Sequence, residues 1–436
     1  MDPNDATTGT ATGSAELAVT LDRGLPRAAL RRVTVILCAT EIVSWGVLYY
    51  AFPVLAPSIS EDTGWPPTAV VAAFTVAQLV AGGIGILVGR RIHHHGPRGV
   101  MTLGSVVAVA AVLLLAQAGS WWWFLAAWCI AGAAMAATLY PPAFAALTIW
   151  GGPRRLQALT ALTLVAGLAS TVFAPLTAIL DDHLGWRDTY TALATLLVVT
   201  VVLHAWGLRA PWPTTVEEPE GAGGADDQDG AEGRAGASGS PWRIPGFTRT
   251  VAAFTLAGVC MWSVIIVFVP LLTARGFSTA AAATALGIGG IGQVCGRLGY
   301  RRLDAATSTT TRTRLVFAGV AITTLALAIT PGPYAPLVVL SFLAGMVRGI
   351  FTLLQATAVT DRWGTANYAR LNATLTLPLM ASAAFAPWFA TALAAGLGSH
   401  AAALVVFAVV AATSLAVVPA RSSNTTAPAA SDTVTR

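Results

Sequence analysis

Lysine is absent from this 436-residue chain, and charge of either sign is scarce. All 25 of its Lys and Arg residues are arginines, and charged residues make up 10% of the sequence against 55% hydrophobic ones. Soluble domains carry about 25% charged residues, so this composition excludes a soluble globular protein. Nucleic-acid binding is excluded as well, because it needs a clustered basic face and these arginines are scattered between apolar runs.

Cysteine is rare, and the sequence offers no metal or redox site. Four cysteines lie within apolar runs without a C-x-x-C pair, which indicates inert buried thiols: Cys38, Cys129, Cys260 and Cys295. His93, His94 and His95 are consecutive, so their side chains diverge, and no acidic or cysteine ligand lies nearby in the sequence. We interpret them as part of a positively charged loop, and we expect no bound metal.

A nucleotide-binding loop is also missing. Gly82-Gly83 and the glycine-rich run 287–292 lie inside apolar segments, with no preceding strand and no Gly-Lys-Ser/Thr. We interpret both runs as sites of close helix packing. We therefore expect no cofactor, and any energy source must be an ion gradient or the gradient of a substrate itself.

One long interior stretch, residues 210–246, is too polar for a bilayer. Between Glu217 and Glu232 it holds seven carboxylates and almost nothing apolar, a composition typical of a disordered linker. The stretch divides the chain into a membrane half at 33–209 and another at 247–420. Residues 1–32 and 421–436 are predicted to be disordered tails.

Runs of about 20 apolar residues predict twelve membrane helices, six in each half. The first six are predicted at 33–57, 67–89, 99–118, 121–147, 157–180 and 187–208. The second six are predicted at 248–273, 279–299, 314–331, 334–358, 369–394 and 399–419. The fold class is therefore an all-α integral membrane protein.

Arginine placement predicts the orientation, because cytoplasmic loops are enriched in basic residues. Alternate loops carry the arginines: Arg23, Arg27, Arg31, Arg32, Arg90, Arg91, Arg98, Arg154, Arg155, Arg301, Arg302, Arg312 and Arg314. The opposite loops carry Glu61, Asp62, Asp181 and Asp182. Both termini and the acidic linker are thus predicted to face the cytoplasm, with Trp121–Trp123 at the outer interface.

The two halves repeat short motifs in the same order. Trp45 lies eight residues before Pro53, as Trp262 does before Pro270, and 169–175 matches 381–387 at Ala-Ser and Phe-Ala-Pro. Gly85-x-x-x-Gly89-Arg90 also matches Gly292-x-x-x-Gly296-Arg297. Duplicated units of this kind are typical of secondary transporters, which bind their solute at the repeat interface.

With these features the chain resembles the major facilitator superfamily over nearly its whole length. The resemblance rests on the glycine- and arginine-containing turn at 89–98 and its second copy at 296–302, although the family's acidic position falls on His93 and Tyr300. It implies two pseudo-symmetric six-helix bundles that alternate access to a central cavity. It also implies a cytoplasmic gate formed by Gly85, Gly89, Arg90, Gly96, Arg98, Gly292, Gly296 and Arg297.

Glu41 is the acidic residue predicted to lie deepest in a span. A carboxylate at that depth must face water, find a partner or take up a proton. Trp45 and Tyr49 follow on the same helix face. We expect Glu41 to line the cavity, either as a proton-coupling group or as a contact for a cationic solute. The alternative is a structural hydrogen bond to a neighbouring helix.

Arg348 is the matching cation in the tenth predicted helix, with Thr352 and Gln355 on or near its face. Three interpretations stay open: an anchor for an anionic solute, a partner for Glu41, or a side chain that reaches an interface. Tyr140 and Asn372 complete the predicted cavity, and the Tyr140-Pro141-Pro142 segment predicts a bend.

The sequence therefore predicts a monomeric secondary transporter in a bacterial plasma membrane, moving a small organic solute together with protons. Uptake of an organic anion and proton-driven efflux of a drug-like metabolite are both compatible with it. An integral-membrane enzyme would need clustered His and Asp at one face, and a receptor would need a folded soluble domain. The sequence shows neither.

Overall fold

A computed structural model of the chain describes residues 24–212, 241–363 and 368–419. These residues form α-helices joined by short turns, with no strand among them. Most of the predicted linker and of the two predicted tails lies outside the described residues.

The first half contains eight described helices. They are α1 Arg27–Trp45, α2 Phe52–Thr63, α3 Pro67–His95, α4 Pro97–Ala116, α5 Trp121–Thr138, α6 Tyr140–Gly151, α7 Arg155–Ala166 and α8 Ala169–Gly207. Pro67 and Pro97 start their helices at the position where the missing N–H costs nothing. Ser120 caps α5 by accepting a hydrogen bond from the Trp123 N–H at 3.3 Å.

The second half contains seven described helices. They are α9 Phe247–Ala274, α10 Thr279–Ala306, α11 Thr309–Ile329, α12 Tyr334–Thr357, α13 Thr360–Trp363, α14 Tyr368–Leu397 and α15 His400–Val417. Serine side chains cap α10, α11 and α15 in the same way as α5: Ser278, Ser308 and Ser399. In each case the serine accepts a hydrogen bond from a backbone N–H in the first turn, and the helix begins at the next residue.

Eleven continuous segments in the described residues are long and apolar enough to cross a membrane. One of them, Gln157–Gly207, has 51 residues and contains Gly185, whose φ of 76° and ψ of 166° are not helical. As one helix at about 1.5 Å per residue it would far exceed a hydrocarbon core of roughly 30 Å. Gly185 therefore divides it into two crossings, and the described residues contain the twelve spans that the sequence predicts.

Several spans are broken near their middle. Span 1 joins α1 to α2 through a π-helical turn at Gly46–Tyr50, and span 4 joins α5 to α6 at Leu139, whose backbone is extended. The bend predicted at Tyr140–Pro142 is confirmed, since both prolines lie in the first turn of α6. Breaks of this kind leave backbone groups without a hydrogen bond inside their own helix. In membrane proteins such groups are tolerated where they are buried in protein or line a cavity.

Each half packs its own aromatic core. In the first half, Phe52 stacks on Phe74 with ring centroids 4.3 Å apart, and Trp128 meets Phe74 edge-on at 5.1 Å. In the second half, Phe254 packs against Phe317 with centroids 5.2 Å apart. These side chains are fully buried, so each bundle is a packed unit on which site residues are held.

The glycine-rich runs pack differently in the two halves. A Cβ at Gly292 would collide with the Phe342 carbonyl of α12, which confirms close packing for the run 287–292. A Cβ at Gly82 or Gly83 meets nothing within 4 Å, so the packing interpretation is wrong for this pair. The reason is that no helix of the described chain comes close to this face of α3.

Candidate transport site

Glu41 lies in α1 with an exposed fraction of 0%. Neither carboxylate oxygen has a hydrogen-bond partner among the described residues. The indole N–H of Trp45, one helical turn further on, is within reach but lacks hydrogen-bond geometry. The structural hydrogen bond that the sequence left as an alternative is therefore not formed in this conformation.

An aromatic cluster begins beside this carboxyl, where Trp45 and Tyr140 lie near Glu41, and continues through Tyr49, Tyr50 and Trp262. The Trp45 ring lies 5.3 Å from Tyr49 and 4.9 Å from Tyr140, centroid to centroid. Trp262 of the second half reaches Tyr49 at 6.2 Å. The repeat partners Trp45 and Trp262 thus meet at Tyr49, where the two halves face each other.

The sequence did not predict Tyr50 as a site residue. Tyr50 ends the π-helical turn Gly46–Tyr50, and its ring centroid lies 5.3 Å from that of Tyr49. Gly46 permits the turn to approach α8, since a Cβ there would overlap the Phe173 ring.

Arg348 is the buried cation of the second half, with an exposed fraction of 7%. No carboxylate lies within 4 Å of it among the described residues, and its Nε has no hydrogen-bond partner there. It lies near Tyr49 and Tyr50 across the interface between the halves. A guanidinium held in this way has donors left for another acceptor.

Two interpretations of Arg348 are contradicted by this geometry. Glu41 and Arg348 do not pair, because neither carboxylate oxygen of Glu41 accepts a hydrogen bond from a described residue. The side chain also does not reach an interface, since it is buried. Residues of the aromatic cluster lie near each charge instead, Trp45 and Tyr140 near Glu41, and Tyr49 and Tyr50 near Arg348.

A small cavity of about 30 Å³ adjoins Arg348 within the second half. Polar groups line part of it, namely Ser341, Thr323 and Thr324, and the other walls are apolar. A cavity needs roughly 10–15 Å³ to hold one water. This one is therefore large enough for water beside the guanidinium but too small for an organic solute.

The remaining predicted cavity residues are placed less centrally. The Thr352 hydroxyl donates to the Gly349 carbonyl of its own helix at 2.8 Å. Gln355 is half-buried further along α12. The Asn372 side chain lies outside what the structure describes.

The halves meet along spans 5 and 8, where Thr171 donates to the Gly287 carbonyl at 2.7 Å. Towards the arginine-rich helix ends, Arg297 of α10 donates to the Thr163 carbonyl of α7. Arg297 also lies beside the Tyr140 hydroxyl. This guanidinium therefore connects the two halves and borders the aromatic cluster at once.

The other members of the predicted gate stay within one half. Arg98 donates from Nε to the Ala205 carbonyl of α8 at 2.9 Å, and Gly96 turns the chain with φ 76° beside Trp212. Gly85 and Gly89 face open space, whereas Gly296, like Gly292, is pressed against α12. Arg90 is exposed at the end of α3. Arg297 is the predicted gate residue for which the described residues show a hydrogen bond between the two halves.

Arg297→Ala is expected to loosen the contact between α7 and α10. A hydrogen bond from a charged group contributes about 1.5–3 kcal/mol, enough to shift a two-state equilibrium by tenfold or more. Spin labels at the exposed positions 155 and 301 should then report a larger population of long distances by electron–electron double resonance. Arg302→Ala, an exposed neighbour, is the matched control. An unchanged distance distribution in Arg297→Ala would show that this bond does not hold the halves.

A charge network that the sequence did not predict lies at the arginine-rich end of the second half. Arg312 pairs with Asp304 and Asp361, each at 2.6 Å, and its guanidinium lies 5.7 Å from the Tyr300 ring. Tyr300 occupies the family's acidic position, and its hydroxyl shares a hydrogen bond with Thr357 at 2.8 Å. The carboxylates near the second motif copy at 296–302 are instead those of Asp304, in the last turn of α10, and of Asp361 in α13.

Arg362 of α13 extends this network. Burial lowers the pKa of Arg362 to about 10, while Asp361 beside it favours the charged form. The guanidinium therefore stays protonated at neutral pH and donates to the Thr313 hydroxyl at 2.6 Å. The signal available in the sequence was Asp361-Arg362 itself, a charged pair in a chain that otherwise avoids charge.

Asp361→Asn is expected to destabilise the folded protein by about 2 kcal/mol, because Arg312 then keeps only one carboxylate. The Arg312 side chain is 3% exposed and that of Asp361 is 25% exposed, so water replaces the lost partner poorly. Asp304→Asn should cost less, since its carboxylate is 52% exposed. Thermal unfolding in detergent measures both variants, and equal losses would contradict this ranking.

Comparisons with known proteins agree with the architecture. The family model of the Major Facilitator Superfamily matches residues 37–334. The solved nucleoside transporter NupG has a TM-score of 0.70 at 12% identity, covering 89% of this chain and 98% of its own. A bacterial homologue of the human lysosomal transporter Spinster, solved inward-facing and unoccupied, gives 0.66 at 13% identity, covering 90% and 97%.

No curated protein sequence matches the chain. At 12–13% identity the two solved structures show the fold alone. The family match extends over more than half of the residues, from span 1 into span 10. Together with twelve spans in two six-helix bundles, it shows that the chain belongs to the Major Facilitator Superfamily of membrane transporters.

Proposed function

We propose that this protein is a proton-coupled secondary transporter of a small organic solute, with Glu41 as the proton site. The observation that carries the proposal is a fully buried carboxyl without a hydrogen bond to any described residue. An ionised carboxylate in such a place is very costly, and this cost supports a role for Glu41 in taking up a proton. Its proton must leave when the halves move and the carboxyl becomes exposed to water on the other side.

The surroundings of Glu41 support coupling to the movement of the halves. Trp45 lies beside the carboxyl on the same helix, its ring contacts Tyr49, and Tyr49 contacts Trp262 of the other half. When the halves rock, these contacts separate and water gains access to the carboxyl. Alternating access then changes the hydration of Glu41, which is the requirement for binding a proton on one side and releasing it on the other.

Arg348 is proposed as the solute anchor. It is buried, carries a donor without a partner among the described residues, and lies near Tyr49 and Tyr50. A solute that combines a carboxylate or phosphate with an apolar or aromatic body fits this combination. We favour an organic anion on this observation.

Efflux of a cationic, drug-like metabolite is the second candidate, and the aromatic cluster favours it. Five aromatic rings in mutual contact, two of them beside a carboxyl, suit a cationic group through cation–π contacts. In that case Glu41 binds either the solute or the proton, as antiport requires.

We further propose a monomer in the bacterial plasma membrane, with both termini at the cytoplasmic face. The support is the arginine bias of alternate loops and the exposed Trp122 and Trp123 at the opposite helix ends, where aromatic belts form. The proposed function is transport rather than catalysis, and it needs no cofactor.

A solute panel measured by thermal shift tests the proposal. The purified protein is heated in detergent with organic anions, organic cations and neutral solutes, at acidic and alkaline pH. A ligand at 100 times its Kd stabilises by about 2.7 kcal/mol. Stabilisation by an anion, stronger at acidic pH, supports proton-coupled anion transport. Hits restricted to amphipathic cations support efflux, and hits without pH dependence in either class contradict proton coupling.

A further inference from the structure

An open groove lies between α3 and α4 near the arginine-rich helix ends, away from the candidate transport site. The two helices diverge from the Gly96 turn, and Ala133 and Ala137 of α5 form the floor between them. The groove encloses about 560 Å³, a volume within the roughly 300–1,000 Å³ typical of small-molecule sites.

The walls of this groove are apolar, and its rim is exposed. Leu87 and Leu103 on opposite walls are 62% and 65% exposed. Gly99 leaves open space, because a Cβ there meets nothing within 4 Å. In a membrane-spanning bundle, such a surface faces the hydrocarbon, so an acyl chain is the occupant that its chemistry suits.

The mouth of the groove carries unpaired positive charge. Arg91 and His95 line it, and Arg91 has no hydrogen bond or ion pair among the described residues. The whole segment 67–116 contains no aspartate or glutamate. Arg90 and Arg98 add to the same sign of charge, so the mouth is complementary to a phosphate.

We propose that this groove binds an anionic phospholipid, with an acyl chain between α3 and α4 and the phosphate held by Arg91 and His95. The arginine-rich end is the predicted cytoplasmic side, where anionic headgroups and basic pockets between helices meet. The lipid occupies a gap that protein atoms leave open next to the Gly96 turn. It therefore braces the end of α3, which is the first copy of the predicted gate motif.

Native mass spectrometry of the full chain tests this site. The protein is titrated with phosphatidylglycerol and with phosphatidylcholine of the same acyl chains, and the retained lipids are counted. The wild type should retain the first phosphatidylglycerol about tenfold better than phosphatidylcholine. The double variant Arg91→Gln/His95→Gln should lose that preference. Arg301→Gln, an exposed arginine at the matching turn of the second half, is the control and should keep it.

A second variant tests the chain-binding part separately. Gly99→Phe places a ring in open space, so it should fold and lower retention of both lipids. If both variants retain phosphatidylglycerol as the wild type does, the proposal is overturned.

Discussion

Glu41→Gln is expected to abolish proton-driven accumulation of the solute while leaving its binding and exchange in place. Glutamine keeps the shape and polarity of the buried carboxyl but cannot release a proton. One proton moving down a gradient of one pH unit supplies about 1.4 kcal/mol, which supports roughly a tenfold solute gradient. In proteoliposomes with such a gradient, the accumulation ratio should fall from about ten to about one in the variant.

Counterflow separates this loss from misfolding. In counterflow the solute gradient itself drives exchange, so Glu41→Gln should approach the wild-type rate when no proton gradient is present. Since Glu41 makes no hydrogen bond to a described residue, the substitution removes no such contact and should leave the melting temperature unchanged. Glu61→Gln, on an exposed carboxylate at the opposite helix ends, is the control and should accumulate solute normally. Full accumulation by Glu41→Gln would exclude Glu41 as the proton site.

The sequence predicted the spans well because bilayer thickness constrains them directly. Any crossing helix needs about 20 apolar residues, so each apolar run located one span. The π-helical turn at Gly46–Tyr50 was not predictable in the same way. It depends on the approach of Gly46 to Phe173, a contact between residues more than a hundred positions apart.

The glycine motifs show a second limit of sequence patterns. Gly85 and Gly292 occupy equivalent positions in the two repeats, yet one faces open space and the other presses on α12. Matching motifs show that the two repeats have similar local sequences. Whether a glycine in them makes a close contact depends on the helix that packs against it. Only the structure supplies that partner.

The sequence indicated which kinds of residue would stand out in the spans, but it did not show which groups those residues contact. A buried acid and a buried arginine stand out in so apolar a chain, and both lie within spans as predicted. Their relation to each other was left open by the sequence, since it depends on how two separately packed bundles meet. The hydrogen bond from Arg297 to the Thr163 carbonyl was not predictable either. Every residue has a backbone carbonyl, so the sequence does not show which one accepts.

Arg348→Met is expected to weaken binding of an anionic solute strongly without destabilising the protein. Losing one or more charged hydrogen bonds of about 1.5–3 kcal/mol raises the Kd by roughly 10- to 150-fold. The free protein, however, loses a desolvated cation that no carboxylate compensates in the described residues. An apolar side chain of similar length should therefore leave the melting temperature unchanged or raise it.

Arg348→Lys separates charge from geometry at the same position. Lysine keeps the positive charge but not the planar pair of donors, so it should recover only part of the affinity for a carboxylate. Binding is measured by thermal shift across solute concentrations, with Arg314→Met as a control on an exposed arginine. If Arg348→Met lowers the melting temperature and leaves the Kd unchanged, the guanidinium stabilises the second bundle and does not contact the solute. A weaker Kd at an unchanged melting temperature places the solute's anionic group at Arg348, opposite the proton on Glu41.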